Sequence, residues 1–482
     1  MTNTTKEFIQ KLTAICGSDY VKSGAGLEES LLTDWTHSVR GTALAAVFPA
    51  NTAEVAQVLT LCHQQRVSVT IQGGNTGMSA GGIPAAAGDS NGIILALRRL
   101  NKIRAIDQQA RTMTVEAGCI LETLRQHAAA AQLFFPLSLG AKGSCQIGGN
   151  LATNAGGLNV LRYGSTRHLC LGIEAVLADG RIFSGLSGLH KNNSGYDLKE
   201  LIIGSEGTLA VITAATLKLF PPPQNPVTAW VEVPSPQAAL ALMNLIQQHS
   251  NNALAAFEML PAEIFKIIAR HQPQTTLPHQ NDIPTWTVLL ETTDTDSEHV
   301  HALLMQALEE KLANNIQLAT SETQRAMFWQ VREEAPLILA RHGKWLRHDI
   351  ALPVAALPAF IAEVEQRLRA VCDGLYIIGF GHLGDGNLHL SVRPLDADPQ
   401  EHPELSTQLS RAVYDCVAAY DGSFSAEHGI GQLKVELLER YKDPTALAMM
   451  QAIKQALDPH YLLNPGKVLK PLPTVSPAPL VR

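Results

Sequence analysis

Charge is scarce in this 482-residue chain. Asp, Glu, Lys and Arg make up 17% of it, and 46% is hydrophobic, whereas an average soluble domain is about 25% charged. Disordered proteins have the opposite balance, so that class is excluded. Positive charge is in the minority, 37 Lys+Arg against 44 Asp+Glu, for a net charge of −7. No global field exists to hold nucleic acid. No apolar run approaches the roughly 20 residues that a bilayer span needs; Gly92–Leu97 and Leu375–Phe380 read as buried strands. The opening Met-Thr-Asn-Thr-Thr-Lys-Glu lacks the basic-then-apolar layout of a secretory signal and the Arg-rich character of a transit peptide. Cys16, Cys62, Cys119, Cys145, Cys170, Cys372 and Cys416 are scattered, with no CxxC pair. They read as reduced thiols, not as a disulfide framework or zinc ribbon. The expectation is a cytoplasmic protein, or a matrix protein if the source is eukaryotic.

At roughly 150 residues per domain, the length suggests two to four domains. Residues 40–220 are rich in glycine and short β-type runs: Ala45–Pro49, Val67–Gln72, Ile93–Leu97, Thr112–Ala117, Gly172–Leu177 and Leu209–Leu219. Helical spacing appears at Ala53–Gln65 and Leu121–Ala131. The run from Pro221 to Pro226 then makes a stiff boundary. Beyond it, strands are expected at Val227–Val233, Ala255–Leu260 and Thr285–Thr293. Helices are expected at Pro236–His249, Pro261–His271 and Ser297–Asn314. That alternation predicts an α/β layer with helices over one face of a sheet. Lys470–Arg482, with four prolines, reads as a loose tail.

Two loops concentrate glycine. Gly73–Gly82 holds five in ten residues, and Gly140–Gly157 holds six in eighteen. Each follows a short apolar run, so each can turn backbone N–H groups inward as a nest for phosphate. Tight turns without a ligand explain one such loop; two in one domain favour the anion. A Rossmann site is rejected. The single GxGxxG match, Gly379–Gly384, is followed by Asp385-Gly386-Asn387 and another strand-like run where a helix should begin. No Walker sequence occurs.

The most specific chemistry lies in Gly381–Ser391 and Ser425–Gly431. Strand alternation puts Leu388, Leu390 and Val392 on one face and His389 and Ser391 on the other. His382, His389 and Glu427 offer two nitrogens and one oxygen, a three-ligand divalent site with open positions. His428, next to Glu427, is left free as a base. The separation of 38 positions between His389 and Glu427 makes their convergence an expectation. Arg332 and Arg347 suit carboxylate binding, and surface salt bridges with Glu333, Glu334 and Asp349 explain them equally well.

Together these motifs resemble the FAD-linked 2-hydroxy acid dehydrogenases of the vanillyl-alcohol-oxidase type, in the D-2-hydroxyglutarate and D-lactate branch. The resemblance runs over nearly the whole chain and also rests on Arg162-Tyr163-Gly164, Asn193–Leu198, Ile203–Leu209 and Asn464–Lys467. It implies an α+β fold: a two-part FAD-binding domain at residues 1–222, and an α/β cap with an antiparallel sheet at 227–425. A C-terminal segment at 426–469 returns to the flavin, before a tail at 470–482. FAD contacts carry over to Gly73, Gly74, Asn75, Thr76, Gly77 and Met78 in the first loop. In and around the second they fall on Pro136, Gly143, Ser144, Gly148, Gly149, Asn154 and Gly156. Tyr163 and Gly164 follow, then Glu206, Gly207 and Ile212, and finally Asn464. Some relatives tether the flavin through a histidine where this chain has Asn75, so non-covalent FAD is implied.

His382, His389 and Glu427 match the family's metal site, usually assigned as zinc or manganese, and His428 its catalytic base. Arg332 matches an arginine that binds a substrate carboxylate. The neighbouring threonine, lysine and asparagine of 2-hydroxyglutarate enzymes fall at Pro336, Arg347 and Ser391, so the distal end of the substrate stays open. The implied reaction is oxidation of a D-2-hydroxy acid, best matched by D-2-hydroxyglutarate, by hydride transfer to flavin. D-lactate, or a flavin subunit of a glycolate-oxidase-like complex, is the alternative, and a metal-dependent hydrolase without flavin a third. The electron acceptor is expected to be an electron-transfer flavoprotein or a quinone. A homodimer is compatible with the pattern.

Overall fold

The computed structural model describes residues 3–85, 92–272, 274–275, 277, 283–396 and 398–470; most of the expected tail lies outside them. Three sheets organise the described residues. The first has four strands in the order Val21–Ser23, Ala45–Val47, Ile93–Ala96, Val69–Gln72. Its last three strands are parallel, and helix Thr52–Gln65 makes the crossover from Ala45–Val47 to Val69–Gln72, two strands away across Ile93–Ala96. Asn51 caps that helix by accepting from Glu54 N, and Glu54 reaches back to Ala50 N at 2.7 Å.

The second sheet is antiparallel: Ile103–Asp107, Thr112–Glu116, Val211–Lys218, Cys170–Val176, Ile182–Gly185. Its two edge strands are absent from the sequence reading. Ile103–Asp107 is mostly exposed and mixes charge with apolar residues, so it carries little hydrophobic period.

The third sheet has seven antiparallel strands: Asn315–Leu318, Val227–Val233, Trp286–Thr292, Leu254–Pro261, Leu375–His382, Asn387–Pro394, Leu346–Ala351. The expected strand and helix at Val227–Val233 and Pro236–His249 have these same bounds. Two expectations are corrected. Helix Ser297–Glu309 stops before Asn314, because Lys311 turns at φ 58 to feed the edge strand. Helices also cover both faces of this sheet, not one. Ala229, Val231, Met259 and Leu290 pack under Pro236–His249, Ser297–Glu309, Leu357–Val371 and Pro403–Ala419. Trp230, Leu260 and Leu289 pack under Ala262–His271 and Glu322–His342. With strands buried on both sides, period-two patterning vanishes and the sequence cannot reveal the second helical layer.

The run Gly379–Gly384 belongs to a hairpin, its strands meeting through a turn at Leu383–Asp385. All seven cysteines are free thiols.

The chain's end returns to its beginning. Leu463 bridges Val69 in parallel, Asn464 Oδ1 accepts from Ile71 N at 2.9 Å, and Asn464 Nδ2 donates to Glu206 O at 2.6 Å. Lys467 is buried beside them, its Nζ 3.2 Å from Asn464 Oδ1 and 3.5 Å from Thr70 Oγ1. Burial pushes its ammonium down to about 7. Because the folded value lies below the unfolded one of about 10.4, Lys467 costs most stability below about pH 7, and the cost fades as pH rises through that window. Lys467→Met is therefore expected to melt several degrees above the parent near pH 6, with the gap closing toward pH 10. Thermal melts across that range check this; a gap independent of pH contradicts it.

Candidate active site

Both glycine loops open onto one cleft. Gly73, Gly74, Asn75, Thr76, Gly77, Gly148, Gly149, Glu206, Gly207, Ile212, Asn464 and His428 all line it. A Cβ added at Gly74 would sit 2.2 Å from Ser144 O, and one at Gly148 2.6 Å from Ala117 Cβ. Gly74 lets the two loops approach each other, and Gly148 lets the second pack against Ala117. Around Gly77 and Gly149 a Cβ would meet nothing within 4 Å: there the missing side chain leaves room for a ligand. Gln146 Oε1 and Asn150 Oδ1, also in the lining, are buried acceptors without a partner among the described residues. Room, bare backbone and orphaned acceptors together suit a polar dinucleotide such as FAD.

Other expected contacts lie outside this lining. Met78 is half-buried next to it. Pro136 O accepts from Asn159 Nδ2, and Ser144 Oγ donates to Ala141 O. Gly143 has open space around it. Asn154, at φ 49, accepts from Arg167 N. Tyr163 packs edge-on between Phe134 and Phe220, and Gly164 is crowded by the His168 ring. Gly156 faces Glu427: a Cβ there would lie 3.2 Å from its Oε2. Asn75 Nδ2 donates to Ser30 O and Thr33 O, which fixes the first loop from behind.

His428 leads from the cleft to the histidine cluster. In the third sheet His389 pairs across to Asp349 on one side and Phe380 on the other. His382 pairs with Glu258 on the next strand. The side chains of Glu258, Asp349, His382 and His389 share one face, while Leu388, Leu390 and Val392 enter the opposite core. The separation from Glu427 closes in space: one ligand atom from each of His382, His389 and Glu427 lies within 4.8 Å of the others. Tetrahedral zinc with bonds of about 2.0–2.1 Å spaces its donors roughly 3.3 Å apart, so a modest contraction completes the set. Gly157 N donates to Glu427 Oε2 at 3.3 Å, tying the second glycine loop to this carboxylate.

Two carboxylates here escape sequence reading. Glu258 is buried between Arg332 Nε, at 2.6 Å, and His382 Nδ1, at 2.5 Å. Burial would raise its pKa, but the guanidinium and imidazole outweigh that and hold it down to about 2. Conversely, burial opposes charge on His382, yet Glu258 lifts it to about 9. The contact leaves His382 Nε2 aimed away from Glu258, the carboxylate–histidine arrangement that orients metal ligands. Burial takes His389 down to about 4, neutral and ready to coordinate at pH 7. Asp349 is likewise buried, accepting from Glu427 N and His428 N at 2.9 Å each and from Asn387 Nδ2 at 2.9 Å. One sequence signal is present: Glu258 is the only charged residue in Leu254–Pro261, and a lone buried charge needs a partner. Which partner is set by a pairing 124 residues away.

The arginines depart from the surface salt-bridge alternative. Arg332 is buried on Glu258, with its Cζ 5.4 Å from the Phe380 ring. Arg347 pairs in register with Ser391, one row beyond Asp349 and His389, and has no ion-pair partner among the described residues. It keeps access to solvent, and partial desolvation pushes its pKa down. Ser391 is buried beside it. Pro336 lies within helix Glu322–His342, exposed, four residues after Arg332; its ring offers no polar atom and removes the helical N–H that Arg332 O would accept.

Known proteins share this architecture. The family description "FAD binding domain" matches residues 43–185, and "FAD linked oxidases, C-terminal domain" matches 222–468. D-2-hydroxyglutarate dehydrogenase, mitochondrial, of Bos taurus is 39% identical over 440 residues, 90% of this chain and 78% of that protein. The D-2-hydroxyglutarate dehydrogenase of Xanthomonas citri pv. viticola is 34% identical over 438 residues, 91% of each chain. A mitochondrial protein of Schizosaccharomyces pombe named as a putative D-lactate dehydrogenase is 35% identical over 450 residues, 90% of this chain and 83% of that one. Among solved structures, p-cresol methylhydroxylase with substrate bound superposes with a TM-score of 0.74 at 15% identity, covering 98% of both chains. No described helix is long and apolar enough to cross a membrane. The chain belongs to the FAD-linked oxidases, in the D-2-hydroxyglutarate and D-lactate dehydrogenase branch, and is an FAD-dependent dehydrogenase.

Proposed function

We propose that this enzyme oxidises D-2-hydroxyglutarate to the 2-oxo acid, with FAD in the glycine cleft and a divalent cation, zinc or manganese, on His382, His389 and Glu427. Residues 1–222 then form the cofactor domain, 227–425 the cap, and 426–469 the segment returning to the flavin. The carrying observation is the spacing of two rows on one sheet face. His389 and Asp349 share the first row, and Arg347, without an ion-pair partner among the described residues, stands with Ser391 in the other, about 6.8 Å further along the strands. A five-carbon diacid spans such a gap, its C1 end at the histidine cluster and its C5 carboxylate at Arg347. D-lactate leaves Arg347 without a partner. That smaller substrate is the second reading, favoured by Ser391 and Pro336, which offer less to a distal carboxylate than an amide and a hydroxyl.

When bound, FAD supplies a hydride acceptor for the substrate Cα, and the cation a Lewis acid for its hydroxyl. The chain's own groups do the rest. His428, in the lining of the cleft with Nε2 3.8 Å from Glu427 Oε1, takes the hydroxyl proton as the 2-oxo group forms. Arg332, its Nε held by Glu258, keeps its terminal nitrogens for the substrate. Arg347 fixes the far end. Electrons leave to an acceptor such as an electron-transfer flavoprotein or a quinone.

Anaerobic mixing with D-2-hydroxyglutarate is expected to bleach the flavin absorbance, while the L-enantiomer leaves it unchanged; no bleaching with any D-2-hydroxy acid contradicts the proposal. His428→Ala should slow that reduction about 10²–10⁴-fold, and near-parental reduction removes it as the base. Arg347→Ala should raise KM for D-2-hydroxyglutarate at least about tenfold, the loss of one charge-assisted contact of about 1.5–3 kcal/mol, without changing KM for D-lactate. Equal effects on both substrates, or none, move the distal carboxylate elsewhere. Glu258→Gln should weaken metal retention about 10–100-fold, read by elemental analysis after dialysis. Unchanged metal content contradicts the orienting role of Glu258.

A further inference from the structure

Arg347 is not the last cation on the sheet face that carries the histidine cluster. Strand pairing continues one row beyond it: His389 pairs with Phe380, Ser391 with Ile378, and Arg393 with Tyr376. Successive rows lie about 6.8 Å apart. Helix Glu322–His342 runs alongside them. Arg332 sits at the first row, its Cζ 5.4 Å from the Phe380 ring. His342 sits at the third, its ring 5.9 Å from Tyr376 and 6.1 Å from Trp345.

Arg393 is fixed in that aromatic corner. Its Cζ lies 5.6 Å from the Trp345 ring and 6.0 Å from the Tyr376 ring, and its Nη1 donates to His342 O at 3.0 Å. Gly343 makes room, since a Cβ there would collide with Nη1. The arginines of the covering helix at this face have carboxylates: Arg332 holds Glu258 at 2.6 Å and Arg325 holds Glu291 at 2.8 Å. Arg393, like Arg347, has no ion-pair partner among the described residues; its hydrogen bonds go to the carbonyls of His342 and Pro394. Asp398 lies within range of its charge but is held by Lys344 at 3.2 Å. Rings and carbonyls keep the guanidinium in place without neutralising it.

We propose that Arg393 is a steering charge for a dicarboxylate substrate. It draws the dianion to the edge strand Leu346–Ala351 and stabilises the distal carboxylate at Arg347 through space, without touching it. The inference rests on the proposed reading of the substrate as a diacid bound at Arg347. The chain as a whole carries a charge of −7, so a local positive field is what favours an approaching anion. One row of separation, about 6.8 Å, is within a Debye length of about 8 Å at physiological salt. Coulomb energy is proportional to the ligand's charge, so a dianion gains about twice what a monoanion gains. Capping His342 O is the structural task of Arg393, and a neutral donor can perform it.

Arg393→Gln separates the two tasks, because its amide can still donate to His342 O while the charge is gone. Anaerobic flavin reduction by the FAD- and zinc-loaded enzyme gives a second-order constant at low substrate and a limiting rate at saturation. With D-2-hydroxyglutarate at about 10 mM salt, the variant is expected to lose about three- to tenfold in the second-order constant and nothing in the limiting rate. The loss should shrink toward parity at about 0.5 M salt, be at most about the square root as large with D-lactate, and be restored by Arg393→Lys. A loss that is independent of salt, equal on both substrates or accompanied by a lower limiting rate overturns the proposal, as does no loss. So does a parent enzyme whose second-order constant falls no more steeply with salt for D-2-hydroxyglutarate than for D-lactate, even if the variant does not fold. If Arg347→Ala affects both substrates equally, the diacid reading fails first; if Arg347→Ala is selective while Arg393→Gln shows no salt-dependent loss, only this inference fails.

Discussion

Taking a carboxylate out of water costs several kcal/mol unless charge and hydrogen bonds replace the lost solvent, and the site on the third sheet buries two of them, Glu258 and Asp349. Each is stable only because specific partners converge on it. Glu258 requires Arg332 and His382; Asp349 requires Asn387 and the backbone of Glu427 and His428. Removing a partner leaves an uncompensated charge, so the groups proposed to carry the chemistry are the same ones that make the buried charges tolerable. The site is held in shape by this mutual dependence, on strands packed between two layers of helix.

The cofactor cleft and the histidine cluster are joined by another carboxylate. Glu206 lines the cleft and accepts from Ile430 N and Gly431 N at 2.7 Å each. The short segment Glu427–Gly431 is therefore suspended between Asp349 at one end and Glu206 at the other, with Ser79 Oγ donating to Gly429 O between them. Gly429 has no room for a side chain: at φ 74, a Cβ would lie 2.8 Å from Glu206 Oε1. Beyond this turn, Lys454 Nζ bonds Thr208 O and Asp458 in the interior, which clamps the returning chain end against the loop that holds Glu206. Cleft, histidine cluster and His428 are thereby tied into one arrangement although they come from opposite ends of the sequence.

How much can be read without coordinates follows from how local each signal is. Strand alternation places His389 with Ser391 and opposite Leu388, Leu390 and Val392, and the hairpin has that arrangement. Glycine density marks both loops of the cleft. Helix Pro236–His249 is legible because Ser235 and Pro236 make its start explicit. Edge strands such as Ile103–Asp107 are not, since an edge buries too little to print a period. The helices on the second face of the third sheet are hidden by strands apolar on both sides. Glu258 and Asp349 escape for a different reason: their meaning depends on register between strands far apart in the chain. The surface alternative for Arg332 fails on the same ground, because its partner is 74 residues distant, while Glu333 and Glu334 merely adjoin it.

Anomalous diffraction from crystals of the zinc-loaded, FAD-bound enzyme, collected on both sides of the zinc edge, tests most directly where the cation sits. The expected result is one peak at about 2.0–2.2 Å from nitrogens of His382 and His389 and an oxygen of Glu427, with His428 uncoordinated between that peak and the flavin. A loaded enzyme with no peak there, or with His428 as a ligand, contradicts it.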